Sequence, residues 1–262
     1  MPASTSKEKI AQIAFYGGQS HLVDDPTQIY AESERLARET GGHYLDQFTY
    51  AERATDWRAN NNIAESIFQQ LRFERYPVPS WLISSPGTGG TLATLGRYVR
   101  YRQHDTRVLC ADAERSVFFD AYVSGDRGLT LDCGSRIEGI GRPRVEASFL
   151  PDVIDAMVKV PDALSLAAMH YLSRRLGRRV GASSGTNLIG AIQAGRYMLK
   201  CGERGSMVAL LCDSGERYAT SYYDDAWLRA QGFDLAPLIA GVEACAEHGA
   251  PLPGELPQAG LG

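Results

Sequence analysis

The apolar and polar positions along the chain switch repeatedly between two periods. Residues 80–84, 107–112 and 156–160 are short, nearly continuous apolar runs, which read as buried strands. Residues 91–103, 114–123, 162–177 and 186–201 carry the three-and-four spacing of amphipathic helices. A further strand is predicted at 206–211, a strand and loop at 179–185, and an irregular, glycine-rich stretch at 124–150.

The first fifty residues follow the same alternation. Thr5-Ser6-Lys7-Glu8 has the form of a capping box, with Thr5 as N-cap and Glu8 three positions into the helix. Ile10, Ile13 and Ala14 give that helix an apolar stripe, and Gly17-Gly18 ends it. Residues 20–23 read as a strand. Asp25-Pro26-Thr27 opens a helix running to about Glu39 and closed by Gly41-Gly42, and residues 43–48 read as another strand. Strands alternating with helices predict an α/β fold with parallel sheets covered by helices. A lobe boundary is expected within 50–62, giving a small N-terminal lobe (1–56), a larger lobe (57–248) and a linker-like, flexible tail (249–262).

Composition narrows the class. A formal net charge of −4 without a basic block disfavours nucleic-acid binding. No run approaches the ~18 apolar residues of a membrane span, and the first residues lack an apolar signal core. Five cysteines without a C-x-x-C pair argue for reduced, cytoplasmic thiols and against a zinc site.

The candidate chemistry starts at Pro86-Gly87-Thr88-Gly89-Gly90-Thr91, between a predicted strand and helix. Such a turn presents backbone N–H groups at a helix N-terminus and suits an anion, phosphate above all. A Walker A loop is disfavoured because Gly90 stands where its lysine belongs. A dinucleotide fingerprint would need glycine where Leu92 stands, although Asp112 ends a strand about the right distance on. A ligand-free turn is the third reading. A second small-residue turn, "GASSGTNLIGAI" (181–192), offers Ser183 or Ser184 as an N-cap. "IEGIGRP" (137–143) and "DSGERY" (213–218) complete the set. Several such turns at the carboxyl ends of parallel strands mark where open α/β sheets bind ligands.

In that order, and with "DQF" (46–48) upstream, these motifs resemble the cysteine synthase and cystathionine β-synthase family of pyridoxal-phosphate (PLP) enzymes. That family has the tryptophan-synthase-β fold, fold type II, and the resemblance runs from Met1 to about Trp227. It implies that Gly87, Thr88, Gly89, Gly90 and Thr91 hold the cofactor phosphate. It implies that Ser183 hydrogen-bonds the pyridine nitrogen. A hydroxyl there leaves that nitrogen largely unprotonated, which suits β-elimination and β-replacement better than transamination. By the same resemblance Gln47 lies near the substrate carboxylate and Gly139 and Gly141 flank the substrate, while Asp213 and Tyr218 support the cofactor end. A homodimer, a small amino-acid substrate and no metal are also implied.

The family's lysine, which joins the cofactor covalently, sits in a "K-D-R"-like motif that this sequence lacks, as it lacks the "S-G-N-T-G" substrate loop. Lys7, Lys9, Lys159 and Lys200 fall elsewhere and read as solvated or structural. Met1 resembles an internal methionine of the family. The chain is therefore expected to be a C-terminal portion, with an incomplete N-terminal lobe, an exposed sheet edge and no catalytic residue of its own. "RPRVEASFL" (142–150) and "TYAERATDWRANNNIAESI" (49–67) look more like cysteine desulfhydrase members than cysteine synthases. The implied parent activity is β-elimination of L-cysteine to sulfide, pyruvate and ammonia. The alternatives are β-replacement on O-acetylserine and a non-catalytic homologue that binds a partner.

Overall fold

The structure, a computed structural model, describes every residue except 4, 6, 26, 27, 59, 60 and 262, and excepting also the side chains of residues 8 and 9. The Glu8 half of the capping box and the Pro26-Thr27 helix start therefore lie outside the described residues. The chain divides into two compact units, Met1–Asp46 and Gln47–Gly262, so the division falls ahead of the expected 56/57 boundary.

In the first unit, α1 (Lys7–Phe15) closes on Gly17 at φ +79°, and α2 (Ile29–Thr40) closes on Gly41 at φ +65°. Both stops are glycines in the left-handed region, as the sequence predicts. The expected parallel sheet of this unit is corrected. Among the described residues, the run 20–23 makes one parallel bridge, Pro2 with Val23, and 43–46 is irregular. Leu45 is 82% exposed. An apolar run becomes a strand only with a neighbour to pair along its length and a face to bury; among the described residues the backbone of 20–23 bonds only to residues 1–3, and Leu22 is exposed.

The second unit begins with α3 (Gln47–Tyr50), a 3-10 turn at Ala51–Arg53 and α4 (Ile63–Leu71), whose Asn62 side chain caps the amide of Glu65 at 3.0 Å. Next come β1 (Trp81–Ser84), α5 (Gly90–Arg102), β2 (Arg107–Ala113) and α6 (Phe118–Ser124). They are followed by β3 (Ala156–Val160), α7 (Asp162–Leu176), α8 (Ala182–Cys201) and β4 (Met207–Ala209). The unit finishes with α9 (Asp225–Ala230), α10 (Ala236–His248) and β5 (Gln258–Ala259). The sheet order is β4-β1-β2-β3-β5, with the first four parallel and β5 antiparallel on β3.

Period-two alternation sorts the strand side chains into two cores. Ile83, Leu109, Ala111 and Val158 pack under α7 and α8 with Ile189 and Ala194. Val108, Cys110 and Met157 face the other way, onto Leu92, Phe118 and Phe149, and Leu82 meets Leu95 and Val99 of α5. Burial on both faces is why these strands read as unbroken apolar runs.

Two expectations change here. The run 179–185 is not a strand and loop, because α8 starts at Ala182 and Val180 makes only a bridge to Ser214. Nor is 249–262 a free tail. Leu252, Leu256 and Leu261 are buried in the main core, and β5 covers the edge of β3. Prolines and glycines punctuate this segment, and its apolar residues are too widely spaced to show a period.

Asp112, at the carboxyl end of β2, is fully buried and accepts from the amides of Ala113 (3.0 Å) and Phe119 (2.9 Å). Burial pushes its carboxyl up to about 6, against the opposing hydrogen bonds of Ser116, Phe119 and Ala113. An acid whose folded value is raised favours the fold while protonated, and that contribution is lost as pH rises. Relative to Asp112→Asn, the native protein should lose on the order of 2–3 kcal/mol of unfolding free energy between about pH 4 and pH 6. Urea titrations across that range check it.

Candidate active site

Four sequence motifs converge at the carboxyl end of the parallel strands. The loop leaving β1 rests against the "GIG" turn: the amide of Gly141 donates to Pro86 O at 2.8 Å. A Cβ on Gly87 would lie 2.6 Å from Gly139 O. Gly89, at φ +96°, caps α5, and a Cβ there would fall 2.7 Å from Ser148 O and from Phe149 Cα. A Cβ on Gly90 would meet Ala51 at 2.9 Å. Each glycine is thus required by a backbone that passes close by.

The outcome is a bare turn at the start of a 13-residue helix. The first-turn amides of α5, on Gly90, Thr91 and Leu92, have no intrahelical acceptor by the geometry of the helix. Only a long contact, Gly90 N to Thr88 Oγ1 at 3.4 Å, touches them among the described hydrogen bonds. At the entry to the turn, the Ser85 hydroxyl is buried without a partner among the described residues. Free amides, helix dipole and an unsatisfied hydroxyl call for an anion with several acceptor oxygens, which a phosphate group supplies. No lysine stands in the turn.

Tyrosines link the "GIG" turn to Asp213 beside the start of α8. Tyr222 Oη accepts from the amide of Glu138 (2.9 Å) and donates to Arg136 O (2.8 Å), holding the segment that leads into Gly139 and Gly141. Its ring stacks on Tyr218 at 4.8 Å, and Tyr218 Oη donates to Asp213 at 2.6 Å. Burial, then the Asp213 carboxylate, pushes the Tyr218 phenol well above its ordinary range, so it stays a donor. Asp213 in turn occupies the space a side chain on Gly181 would need, and its carbonyl accepts from the Gly181 amide at 3.0 Å. Ser183 follows in the first turn of α8, 4% exposed, and the hydroxyl of its neighbour Ser184 accepts from the Cys212 amide at 3.1 Å.

Gln47 opens α3 and is exposed. Its helix is held by the 142–150 segment. Ser148 Oγ donates to Phe48 O at 2.7 Å, and Arg142 lies 4.3 Å over the Phe48 ring. Glu146, buried, pairs with Arg142 (2.9 Å) and Arg144 (3.3 Å). The same segment supplies the Ser148–Phe149 backbone that packs on Gly89. The Glu52 carboxylate and carbonyl both receive Arg97 of α5, fixing Ala51 behind Gly90.

Lys159 pairs with Asp120 at 2.8 Å, and Lys200 is exposed in the last turn of α8. Tyr222, Ser148 and Glu146 have no fixed spacing from the motifs, and sequence reasoning passes over them. Their only signal is that they fall within stretches already singled out or just beyond one. No group of three or more potential metal ligands occurs among the described residues, and no described helix is long and apolar enough to cross a membrane.

Residues 1–213 match the sequence profile of a family described as pyridoxal-phosphate dependent enzymes. The chain belongs to this family. It is 59% identical over 244 residues to an L-cysteine desulfhydrase of Mycobacterium tuberculosis, covering 93% of this chain and 66% of that protein. It is 27% identical to cysteine synthase 2 of Schizosaccharomyces pombe, covering 87% of this chain and 62% of the relative. It is also 27% identical to the cystathionine beta-synthase of Mus musculus, covering 89% and 41%. A crystal structure of a hydrogen sulfide-producing enzyme in complex with an alpha-aminoacrylate intermediate superposes with a TM-score of 0.69. It is 22% identical and covers 84% of this chain and 64% of that one, so it supports the fold. The chain spans less than two thirds of the length of each of these proteins.

Membership makes pyridoxal phosphate the family's cofactor, and the residues present fit it. The bare start of α5, with its free amides and the unpartnered Ser85 hydroxyl, suits the phosphate group of that cofactor.

Proposed function

We propose that this chain forms the cofactor-phosphate cradle and the substrate-side turn of an enzyme that eliminates sulfide from L-cysteine. The observation that carries the reading is the packing of Gly87 against Gly139, which sets the anion turn and the "GIG" turn side by side. The 59% identity to an L-cysteine desulfhydrase supports this choice over cysteine synthesis.

In this reading Gly87 to Thr91 donate amides to the cofactor phosphate, and the Ser183 hydroxyl faces the ring nitrogen. The bound cofactor supplies an electron sink for breaking the bonds around the substrate's α- and β-carbons. Gln47 binds the substrate carboxylate, and Gly139 and Gly141 leave room for the amino acid. Tyr222 keeps that turn in place, and the Glu146–Arg142 pair holds the wall between α3 and the cradle. L-Cysteine and water leave as sulfide, pyruvate and ammonia, which conserves every atom.

The covalent link to the cofactor, in this proposal, comes from outside Lys7, Lys9, Lys159 and Lys200, and the activity is that of the whole protein. A homodimer belongs to the same reading. The test supplies the whole protein with pyridoxal phosphate and L-cysteine, and in parallel with O-acetyl-L-serine and sulfide. Equal amounts of sulfide and pyruvate from cysteine support it. Cysteine formation from O-acetyl-L-serine, without sulfide release from cysteine, overturns it. Borohydride labelling that lands on Lys159 or Lys200 contradicts the assignment of the covalent link.

A further inference from the structure

A cavity of about 700 Å³ lies between the last turns of α8 and the segment that follows α10. Gln193, Arg196, Tyr197 and Lys200 line one wall, and their three-and-four spacing puts them on one face of the helix. Leu252, Leu256 and Leu261 line the other wall, and all three are anchored in the main core. Glu255 belongs to that second wall. The Tyr197 ring is fixed by the first residues of β1 and β2. Trp81 meets it edge-on at 5.9 Å, and Arg107 lies 5.2 Å from its centroid. The cavity therefore sits toward the amino ends of the strands, and about 26 Å of helix separates Lys200 from Ser183. It is no part of the cradle.

Arg107 is already paired with Glu203. The side chains of Arg196, Lys200 and Glu255, by contrast, are exposed and have no ion-pair or hydrogen-bond partner among the described residues. Two cations one helical turn apart can bracket a phosphate group, and the guanidinium offers it paired N–H donors. An aromatic ring gives a nucleobase a stacking surface. A carboxylate accepts from ribose hydroxyls. The volume falls within the range of small-molecule sites, about 300–1,000 Å³. We infer that this cavity is a second ligand site and takes a mononucleotide, with its phosphate on Arg196 and Lys200, its base on Tyr197 and its ribose on Glu255. The site is independent of the proposed cysteine chemistry.

Calorimetric titration of this chain with adenosine 5'-monophosphate is the primary measurement, and saturable one-to-one binding is expected. Adenosine, which lacks the phosphate, should bind at least about 10-fold more weakly. Arg196→Ala and Lys200→Ala should each weaken the nucleotide about 10-fold and leave adenosine nearly unchanged. The native chain should prefer the nucleotide to its 2',3'-dideoxy analogue, and Glu255→Ala should remove that preference. All three residues are exposed, so the variants should keep the native thermal midpoint. Arg178→Ala, exposed and outside the cavity, is the control and should bind as the native chain does.

Absence of saturable binding overturns the inference. So does native affinity in a variant carrying both Arg196→Ala and Lys200→Ala, since the nucleotide would then be held elsewhere. If that double variant binds normally while Gly89→Ala does not, the nucleotide occupies the cradle and the second site fails. Binding that follows Arg196 and Lys200 but ignores the ribose hydroxyls overturns the mononucleotide assignment and leaves a site for a simpler organic phosphate.

Discussion

Replacing Gly89 with alanine is expected to remove measurable affinity for pyridoxal phosphate and to lower the unfolding midpoint by roughly 10 °C. Two costs combine. The residue sits at φ +96°, where a Cβ costs about 1–2 kcal/mol. That Cβ would also press into the Ser148–Phe149 backbone at 2.7 Å, which no side-chain rotation relieves. Overpacking of this kind costs about 1–3 kcal/mol more. Relief requires the 148–149 backbone or the α5 turn to move, and either shift misplaces the amides that would meet the phosphate. Gly139→Ala is the control. It has a comparable φ of +90° but open space around its Cβ, so it should show only the conformational cost. Thermal unfolding and cofactor titration of the two variants together separate strain from loss of the cradle.

Gly185→Ala should have the other large effect, this time on the fold. Gly185 lets α8 lie directly on α7: a Cβ would overlap Ser165 O and lie 2.6 Å from Met169 N. The neighbouring contact, Thr186 Oγ1 to Ser165 Oγ at 2.9 Å, would part as the helices separate. The gain in helix propensity, about 1 kcal/mol, is outweighed by a packing loss on the order of 3–5 kcal/mol. Gly195→Ala, in the same helix, meets only the mobile end of Met207 at 3.3 Å and should be neutral or slightly stabilising. Denaturant midpoints for the pair test this directly.

These two glycines also show what the sequence reveals. Gly89 and Gly90 read as a glycine turn opening a helix, and α5 does begin there. What no local reading shows is that Phe149 and Ala51 press on them, because those contacts join segments about 40 to 60 residues apart. Gly185 reads as part of a ligand loop, whereas its tightest neighbours are on α7. "GASSG" looks like a turn because small residues favour turns, but close helix packing asks for the same residues. The central strands are legible since both of their faces are buried. Leu45 and its neighbours mislead for the converse reason, being apolar without a pairing edge. In 249–262 prolines and glycines break any period, so the sequence pattern does not reveal that Leu252, Leu256 and Leu261 belong to the core. Tyr222 is invisible in sequence: its value lies in joining Arg136 and Glu138 to the Tyr218–Asp213 pair across more than eighty residues.

If the α5 turn recognises the cofactor phosphate, this chain should bind pyridoxal 5'-phosphate at least about 100-fold more tightly than pyridoxal, which lacks only the phosphate, a difference equivalent to several charge-assisted hydrogen bonds. Inorganic phosphate should compete. Paired titrations with the two forms measure this; equal affinity, or binding indifferent to inorganic phosphate, would rule the turn out as the phosphate site.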